Sequence, residues 1–224
     1  MNAPPDPSVT AHASAFRLTG EDVTAAHGET ILEVADRLGV EIPRLCYKPG
    51  LRPDGNCRSC MVEIKGERVL APSCCRAPAP GMEVMSDSAR AKHAQKLVVE
   101  LLASDVPERV YKPDSELALW RRKLGIGTTR FPSRDQPVPD LSHPAMAVNL
   151  DACIQCTRCV RACREAQVND VIGYAHRGAH SAIVFDLDDP MGESSCVACG
   201  ECVQACPTGA LAPANDAYLA RVDR

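Results

Sequence analysis

The fold is decided by a stretch of sequence that occurs twice, as residues 153–163 (CIQCTRCVRAC) and again as residues 196–206 (CVACGECVQAC). Both copies have the spacing C-x2-C-x2-C-x3-C, and the second begins 43 residues after the first. Between the third and fourth cysteines both copies also carry a valine and an alanine at the same positions. A duplicated segment of this kind predicts one structural unit that is built twice.

Eight cysteines in this spacing predict iron–sulfur ligation. Thiolate is a soft ligand, and four thiolates suit either zinc or an iron–sulfur cluster. In the bacterial two-cluster pattern, the three closely spaced cysteines of one segment hold one 4Fe-4S cluster, and the fourth cysteine reaches the other cluster. We therefore expect a first 4Fe-4S cluster on Cys153, Cys156, Cys159 and Cys206, and a second on Cys163, Cys196, Cys199 and Cys202.

Two alternatives to this hypothesis are a pair of zinc sites and a degenerate ferredoxin that has lost its clusters. Zinc motifs favour pairs of C-x2-C rather than triplets, which disfavours the first alternative. All eight cysteines are present, which disfavours the second. A proline, Pro207, follows only the second segment, whereas Arg164 follows the first. Because proline is not a ligand, this departure leaves the hypothesis intact.

Another group of cysteines lies upstream, at Cys46, Cys57, Cys60 and Cys74. The loop between the first two contains glycines, which let backbone N–H groups approach the sulfurs of a cluster and raise its reduction potential. We interpret the group as a 2Fe-2S site, although its spacing is not the plant-type spacing and four cysteines also suit zinc. Of the 13 cysteines, only Cys75 is not assigned to a cluster. It could replace Cys74 as a ligand, but a buried thiol is the favoured interpretation.

Composition narrows the classes of protein that fit the chain. The formal charge of -4 provides no basic surface, so we expect no nucleic-acid partner. No apolar run reaches the length of a transmembrane helix, and residues 1–15 lack the basic and apolar regions of a signal or transit peptide. We therefore expect a cytoplasmic protein without a transmembrane segment. In that reducing compartment, closely spaced cysteines bind metals more often than they form disulfides.

Residue patterns predict a small mixed sheet over one helix in the N-terminal part of the chain. Five strands are expected, at residues 16–18, 23–26, 61–64, 69–71 and 83–85. The helix is expected to follow Gly28 and to end at Gly39. Its buried face is expected to consist of Ile31, Val34, Ala35 and Leu38.

Helices are expected to connect this part to the cysteine repeat. The first begins after the cap candidates at residues 86–88, and its buried face is expected to consist of Ala94, Leu97, Val98, Leu101 and Leu102. A shorter helix is expected over residues 114–124, before a proline-rich linker. Between the two cysteine segments, strands at 171–174 and 182–185 are expected to form a hairpin that covers the clusters.

Several motifs resemble the complex-I-like family of iron–sulfur subunits. They are ETILEVADRLG at 29–39, IPRLC at 42–46, GNCRSC at 55–60, PSC at 72–74, HPAMAVN at 143–149 and PTGAL at 207–211, together with the two cysteine segments. The family includes the large iron–sulfur subunit of respiratory complex I, the small diaphorase subunit of NAD-linked hydrogenases and the alpha subunit of NAD-dependent molybdenum formate dehydrogenases. The C-terminal motifs look most like those of the formate dehydrogenase branch.

The patterns and the resemblance together imply an α+β protein with two ferredoxin domains. The N-terminal 2Fe-2S domain is expected to be β-grasp-like, and the C-terminal domain to be a bacterial-type ferredoxin with two 4Fe-4S clusters. The expected divisions are a disordered leader (1–13), the 2Fe-2S domain (14–88), a helical bridge and linker (89–143), the two-cluster domain (144–213) and a C-terminal tail (214–224).

Two departures from the family pattern bear on function. Many relatives carry a further 4Fe-4S cluster, bound by one His and three Cys, whereas here His93 is followed by no cysteine until Cys153. We therefore expect that cluster to be absent and His93 to be solvated, so the two domains have to approach each other by packing alone if electrons pass between them. The formate dehydrogenase alpha subunit continues into a molybdopterin domain, whereas this chain ends at Arg224, and we expect no catalytic site within it.

The resemblance implies an electron-transfer subunit with one 2Fe-2S and two 4Fe-4S clusters. Its expected partners are a catalytic subunit of the molybdopterin formate dehydrogenase type and a flavin-containing subunit that reacts with NADH. One alternative is a diaphorase subunit of an NAD-linked hydrogenase, and another is the N-terminal portion of a split catalytic subunit. A zinc-binding structural module is the least favoured alternative.

Residues other than cysteine support fewer interpretations. Arg158, Arg161 and Arg164 surround the first cysteine segment, where they could dock an acidic partner, raise the potential of the cluster or form a solvated face. Trp120 and Tyr111 are interpreted as packing anchors. No carboxylate pair or nucleophile with an adjacent base stands out, so acid–base and nucleophilic catalysis are not predicted.

Overall fold

The computed structural model describes residues 13–106, 111–134 and 137–215, which form two compact units. The first unit takes in the chain up to Ile42 together with Cys60–Ala94. The second takes in Pro43–Ser59 together with the chain from Gln95 onward. Nearly all of the predicted leader and tail (1–12 and 216–224) lies outside the described residues.

The first unit contains a five-stranded mixed sheet. Its strands are β1 (Ser14–Leu18), β2 (Glu21–Ala25), β3 (Met61–Ile64), β4 (Ala71–Pro72) and β5 (Glu83–Met85). They lie in the order β2-β1-β5-β3-β4, with β1 parallel to β5 and the other neighbours antiparallel. Alternate side chains point into the core, as the two-residue period of a strand requires, and Phe16, Leu18, Val62, Ile64 and Val84 are buried.

A short helix, α1 (Ile31–Arg37), supplies most of the remaining core of this unit. It begins at a capping box, in which the Thr30 side chain accepts from the Glu33 N–H and the Glu33 side chain accepts from the Thr30 N–H. Gly39, with a φ of 73°, follows the helix in the left-handed conformation that ends it. Leu38 is 45% exposed, so its predicted place on the buried face is wrong. The helix has already ended at Arg37, and Leu38 is its C-cap.

A 16-residue helix, α2 (Ala89–Ser104), follows β5. The Ser88 hydroxyl accepts from the Ala91 N–H at 3.1 Å, so one of the predicted cap residues acts as a cap. The predicted buried face is wrong, because Leu101 is 52% exposed. The fully buried face instead repeats every four residues and consists of Ala91, Gln95, Val99 and Ala103. It includes a glutamine and two alanines, which a search for large apolar side chains does not select.

The second unit is built around the duplicated cysteine segment. Its elements are α3 (Glu116–Lys123), β6 (Met146–Val148), α4 (Arg158–Arg161), β7 (Ile172–Ala175), β8 (Ala182–Phe185), α5 (Glu201–Ala205) and β9 (Leu211–Pro213). β6 pairs antiparallel with β9, which joins the start of the repeat region to its end. β7 and β8 form the hairpin that was predicted between the two copies.

The two copies contribute matching helices to the core of this unit. The first copy contains α4, which continues into a π-helical turn at Ala162–Ala166, and the second copy contains α5. Buried apolar residues of all four strands pack with the cysteines between them. The predicted α+β class is confirmed. None of the helices in the described part of the chain has both the length and the apolar character that a membrane crossing requires.

Gly209 marks a close approach between two segments of the second unit. Its φ is +89°, and a Cβ there would lie 2.8 Å from Lys112 Cβ. Gly209→Ala adds backbone strain and a steric clash, so we expect it to lower the free energy of unfolding by about 3 kcal/mol. Gly178→Ala is the matched control, because its φ is +62° and nothing lies within 4 Å of a Cβ there. We expect the control to lower the free energy of unfolding by only about 1 kcal/mol, and denaturant unfolding measures both variants. Equal losses in the two variants would contradict the close approach.

Candidate iron–sulfur sites

The four cysteines predicted to bind the first 4Fe-4S cluster line one cavity in the second unit. Its walls carry Cys153, Cys156, Cys159 and Cys206. Apolar side chains complete them, among which are Leu150, Ile154, Ile183 and Leu211. The fourth sulfur therefore comes from the other copy of the repeat. Sulfur donors around an apolar space fit a buried cluster, because thiolates bind iron and apolar walls exclude water.

Burial and mutual repulsion raise the pKa values of these thiols. Burial, followed by the nearby Cys206, raises the pKa of Cys153 to about 11. Burial, then Cys206 and Cys153, raises the pKa of Cys156 well above its usual range. Cys159 is affected in the same way, with burial as the largest cause of its raised pKa. Thiols held this close resist ionisation, and a bound cationic centre would favour their thiolate forms.

The second predicted set is brought together in the same crosswise manner. The pKa of Cys202 is raised to about 12, first by burial and then by Cys196, Cys199 and Cys163. Cys163 belongs to the first copy, whereas the other three belong to the second. Cys202 and Cys163 are buried, but Cys196 is half-buried and Cys199 is exposed. This set therefore lies nearer to the surface than the first.

The two copies share backbone geometry as well as spacing. The Gln155 N–H donates to Cys153 Sγ and the Ala198 N–H donates to Cys196 Sγ, each at 3.4 Å. Gln155 and Ala198 have φ values of 54° and 56°, a left-handed conformation that non-glycine residues seldom adopt. Such strain persists where the surroundings enforce it, often at functional sites. Here it aims N–H groups at sulfur, which would favour negative charge on a cluster held by these cysteines.

The upstream cysteines occur as two pairs, one in each unit. Cys46 and Cys57 lie in the second unit, where the Cys46 N–H donates to Cys57 Sγ at 3.4 Å. Cys60 and Cys74 lie in the first unit and are buried. There, Ser73 donates from its N–H and its hydroxyl to the Cys60 carbonyl, at 3.1 and 2.8 Å. The binding of one 2Fe-2S cluster by all four stays a prediction.

Ser59 is a site residue that the sequence analysis did not single out. It is fully buried, and its Oγ lies 3.1 Å from Cys57 Sγ. Serine between two cysteines is common in loops, so the residue type alone gives no signal. Burial of its hydroxyl against the sulfur, which only the fold shows, places it in the site.

Cys75 is exposed, so the interpretation of this residue as a buried thiol is wrong. Its Sγ lies 3.5 Å from Sγ of the fully buried Cys74. The N-terminus of α1 holds the turn that contains the two cysteines, because the Ile31 N–H donates to the Arg76 carbonyl and the Leu32 N–H donates to the Ser73 carbonyl. Adjacent cysteines thus differ in exposure although their sulfurs are in contact: Cys74 is fully buried and Cys75 is exposed.

Two of the three arginines around the first cysteine segment are buried. Arg158 and Arg161 are 2% and 3% exposed, so a solvated face is the wrong interpretation for both. Arg164 is exposed and pairs with Asp170 at 2.6 Å. The three residues are spaced alike in the sequence, so their positions give no signal that separates the buried pair from the exposed one. The packing of residues 43–59 against the segment makes the difference.

Arg158 connects three parts of the second unit. Its guanidinium forms a bidentate ion pair with Glu116 of α3, at 2.6 and 2.8 Å. It also donates to the carbonyl of Tyr47, in the loop between Cys46 and Cys57. Burial lowers its pKa, but Glu116 and then the thiols of Cys156 and Cys46 outweigh this effect and raise it. Arg158 is therefore a fully charged anchor beside two predicted ligands.

The predicted packing anchors are both buried. Trp120 belongs to an apolar cluster that also contains Cys46 and Cys156. Tyr111 packs in the core around the cysteine repeat, and its hydroxyl donates to Asp151 at 2.5 Å. Both side chains therefore support the walls of the predicted sites.

No three His, Cys, Asp or Glu side chains among the described residues converge as they would on a single metal ion. The sulfurs of the first set surround a cavity, which is the arrangement that a cluster of several irons requires. His93 of α2 is exposed.

Two protein families match separate parts of the chain. A 2Fe-2S iron–sulfur cluster binding domain matches residues 13–89, which contain all four upstream cysteines. The ferredoxin-like domain of NADH-quinone oxidoreductase subunit 3 matches residues 143–212, which contain both cysteine segments. The predicted order of the two ferredoxin domains is confirmed.

Similar proteins include subunits of two kinds of oxidoreductase. The chain is 35% identical over 201 residues to a G-type NADH-quinone oxidoreductase subunit of Rhizobium meliloti (strain 1021). It is 32% identical over 211 residues to the NADP-reducing hydrogenase subunit HndD of Solidesulfovibrio fructosivorans. Each match covers 87% of this chain, but only 23% and 35% of the two relatives, so the chain spans about a third or less of their length.

A solved structure is similar over nearly the whole chain. It is the crystal structure of an NAD+-reducing NiFe-hydrogenase in the H2-reduced state. The TM-score is 0.83 at 28% sequence identity, and the match covers 91% of this chain and 88% of that chain. The likeness therefore extends to the order of both domains.

The different exposure of Cys74 and Cys75 provides a test of the upstream site. Cys74→Ser should remove about two irons per chain from the anaerobically purified protein, because a buried ligand of a 2Fe-2S cluster is lost. Cys75→Ser is the matched control, one residue away and exposed, and should leave the iron content unchanged. Iron and sulfide quantification measures both. Iron loss in the Cys75 variant alone would instead make Cys75 the ligand.

Proposed function

This chain belongs to the complex-I-like family of iron–sulfur subunits, and from that premise we propose that it is a three-cluster electron carrier. It passes single electrons between a catalytic subunit and a flavin-containing subunit that reacts with NADH. The proposed ligands of the 2Fe-2S cluster are Cys46, Cys57, Cys60 and Cys74. Those of the 4Fe-4S clusters are Cys153, Cys156, Cys159 and Cys206 for the first and Cys163, Cys196, Cys199 and Cys202 for the second.

One observation carries the proposal: the apolar cavity receives three sulfurs from one copy of the repeat and the fourth from the other. If these cysteines only filled the hydrophobic core, the four cysteines of each copy could pack within that copy. The contribution of Cys206 from the other copy is instead what shared ligation of a cluster requires. The mutual effects on pKa group the second set in the same crosswise way. Crosswise ligation is the arrangement of two-cluster ferredoxins.

The clusters supply the redox chemistry when they are bound, and the chain supplies their environment. Ile154, Ile183 and Leu211 exclude water from the first site. The N–H groups of Gln155 and Ala198 donate to ligand sulfurs and so favour the more negative, reduced state. None of these residues has to move a proton or break a bond, which fits a carrier better than a catalyst.

We place the proposed carrier in the cytoplasm, with a molybdopterin subunit of the formate dehydrogenase type as its catalytic partner. The sequence motifs at 143–149 and 207–211 support this partner. A second candidate is the diaphorase role in an NAD-linked hydrogenase. It is favoured by the match to a chain of the NAD+-reducing NiFe-hydrogenase structure, 88% of which is covered at a TM-score of 0.83. A split catalytic subunit is the third arrangement, in which this chain is the electron-transfer part of the enzyme.

The proposal is tested on the anaerobically purified full chain. It should contain about ten irons and show separate EPR signals for the 2Fe-2S and 4Fe-4S centres during stepwise reduction. Addition of a molybdopterin formate dehydrogenase subunit and formate should then produce the reduced signals, whereas a hydrogenase catalytic subunit and hydrogen should not. The reverse result selects the diaphorase role. Zinc in place of iron, without EPR signals on reduction, would make the chain a structural module.

A further inference from the structure

Arg161 contacts the backbone of two cysteines that are predicted to bind different clusters. Its Nη2 donates to the Cys46 carbonyl at 2.6 Å and to the Cys156 carbonyl at 3.1 Å. Its Nη1 donates to the Arg52 carbonyl at 2.6 Å. All of these residues belong to the second unit. One guanidinium therefore joins the loop of the upstream site to the first cysteine segment, at the ligand residues themselves.

The charge of Arg161 is only loosely compensated within the described part of the chain. Its one ion pair there is with Asp54, whose carboxylate lies 3.9 Å from Nε, and Nε itself has no hydrogen-bond partner. Arg158, by contrast, has a bidentate carboxylate partner. A buried cation without a close counter-charge is costly. Anionic centres bound at Cys46 and Cys156 would supply the missing compensation.

Further contacts fix the same loop against the same segment. Thr157, directly after Cys156, donates from its hydroxyl to Asp54 at 2.7 Å and accepts from the Asn56 side chain at 2.9 Å. Cys46 and Cys156 also share a buried apolar cluster. Arg161 itself is 3% exposed, so water screens its charge less than it would at the surface, although the contacts of Asp54 and Asn56 with Thr157 are exposed.

We propose that Arg161 is a positioning residue that fixes the spacing of the 2Fe-2S and first 4Fe-4S centres and raises the reduction potentials of both. The inference rests on the proposed function, because it requires a cluster at each of the two cysteines. The sulfurs of Cys46 and Cys156 are connected through the covalent bonds of each residue to its own carbonyl, and both carbonyls accept hydrogen bonds from Arg161 Nη2. One electron would leave one centre and enter the other, while no proton or atom is transferred and Arg161 keeps its charge. That charge favours an added electron on either centre.

The test compares Arg161→Gln with Arg161→Lys in the full, anaerobically purified chain. Arg161→Gln removes the charge and should lower the midpoint potentials of both centres and weaken their mutual broadening in EPR spectra. Arg161→Lys keeps the charge, but its ammonium cannot reproduce the planar fork across three carbonyls. Its potentials should stay near those of the unmodified chain, while the broadening weakens. Arg164→Gln is the control, since Arg164 lies in the same segment but is exposed, and it should change neither quantity.

The outcomes separate this inference from the proposed function. Full iron content in Arg161→Gln with unchanged potentials and broadening would overturn the role of Arg161 and leave the electron-carrier function intact. If Arg161→Gln fails to retain iron, the lysine variant decides, and unchanged broadening in it overturns the inference. An unmodified chain without iron refutes the proposed function itself, before any variant is compared.

Discussion

The second unit is built around four cysteines that share one apolar cavity. The need to keep their thiols close together constrains the rest of this unit. Burial first, and then the neighbouring sulfurs, raise the pKa values of Cys153, Cys156 and Cys159, so the arrangement disfavours thiolates in the absence of a bound cationic centre. Backbone contacts hold these cysteines close together. Pairing of β6 with β9 closes the repeat region on itself, and the left-handed turns at Gln155 and Ala198 hold N–H groups against sulfur. The fold thus brings together, without a bound cluster, the cysteines that are proposed as ligands of the first cluster.

Two buried arginines connect the first cysteine segment to the upstream loop. Arg158 and Arg161 hold residues 43–59 against the first cysteine segment through backbone carbonyls, and the Asp54 and Asn56 side chains of that loop add hydrogen bonds to Thr157. Burying two guanidinium groups is costly unless their donors are used. Arg158 is compensated by Glu116, whereas Arg161 lies beside the backbone of two predicted ligands. In the proposed electron carrier, the charge of Arg161 would stabilise an added electron on either cluster.

Within the first unit, hydrogen bonds to backbone carbonyls hold the segments that carry the buried cysteines. Ser73 donates twice to the Cys60 carbonyl, and the Leu32 N–H at the start of α1 donates to the Ser73 carbonyl. The free N–H groups of a helix N-terminus need acceptors, and here the turn before Cys74 supplies them. The same contacts that complete the helix therefore hold Cys74 in the core and leave Cys75 outside it.

The sequence by itself determined the iron–sulfur character of the chain, the fold class and the order of the two ferredoxin domains, whereas β6, β9, α4 and α5 were not predicted. Cysteine spacing and the alternation of apolar residues are local properties, so the duplicated segment could be predicted from the first, and the hairpin between its copies and the small N-terminal sheet from the second. The buried face of α2, the exposure of Cys75 and the burial of Arg158 and Arg161 were decided by the tertiary structure alone. Each depends on which distant segment packs against the residue. On α2, the buried positions are taken by Gln95, Val99 and two alanines. The loop 43–59 covers Arg158 and Arg161 but leaves Arg164 exposed. Local pattern carries no information about such partners, because they are separated along the chain and meet only in the folded protein.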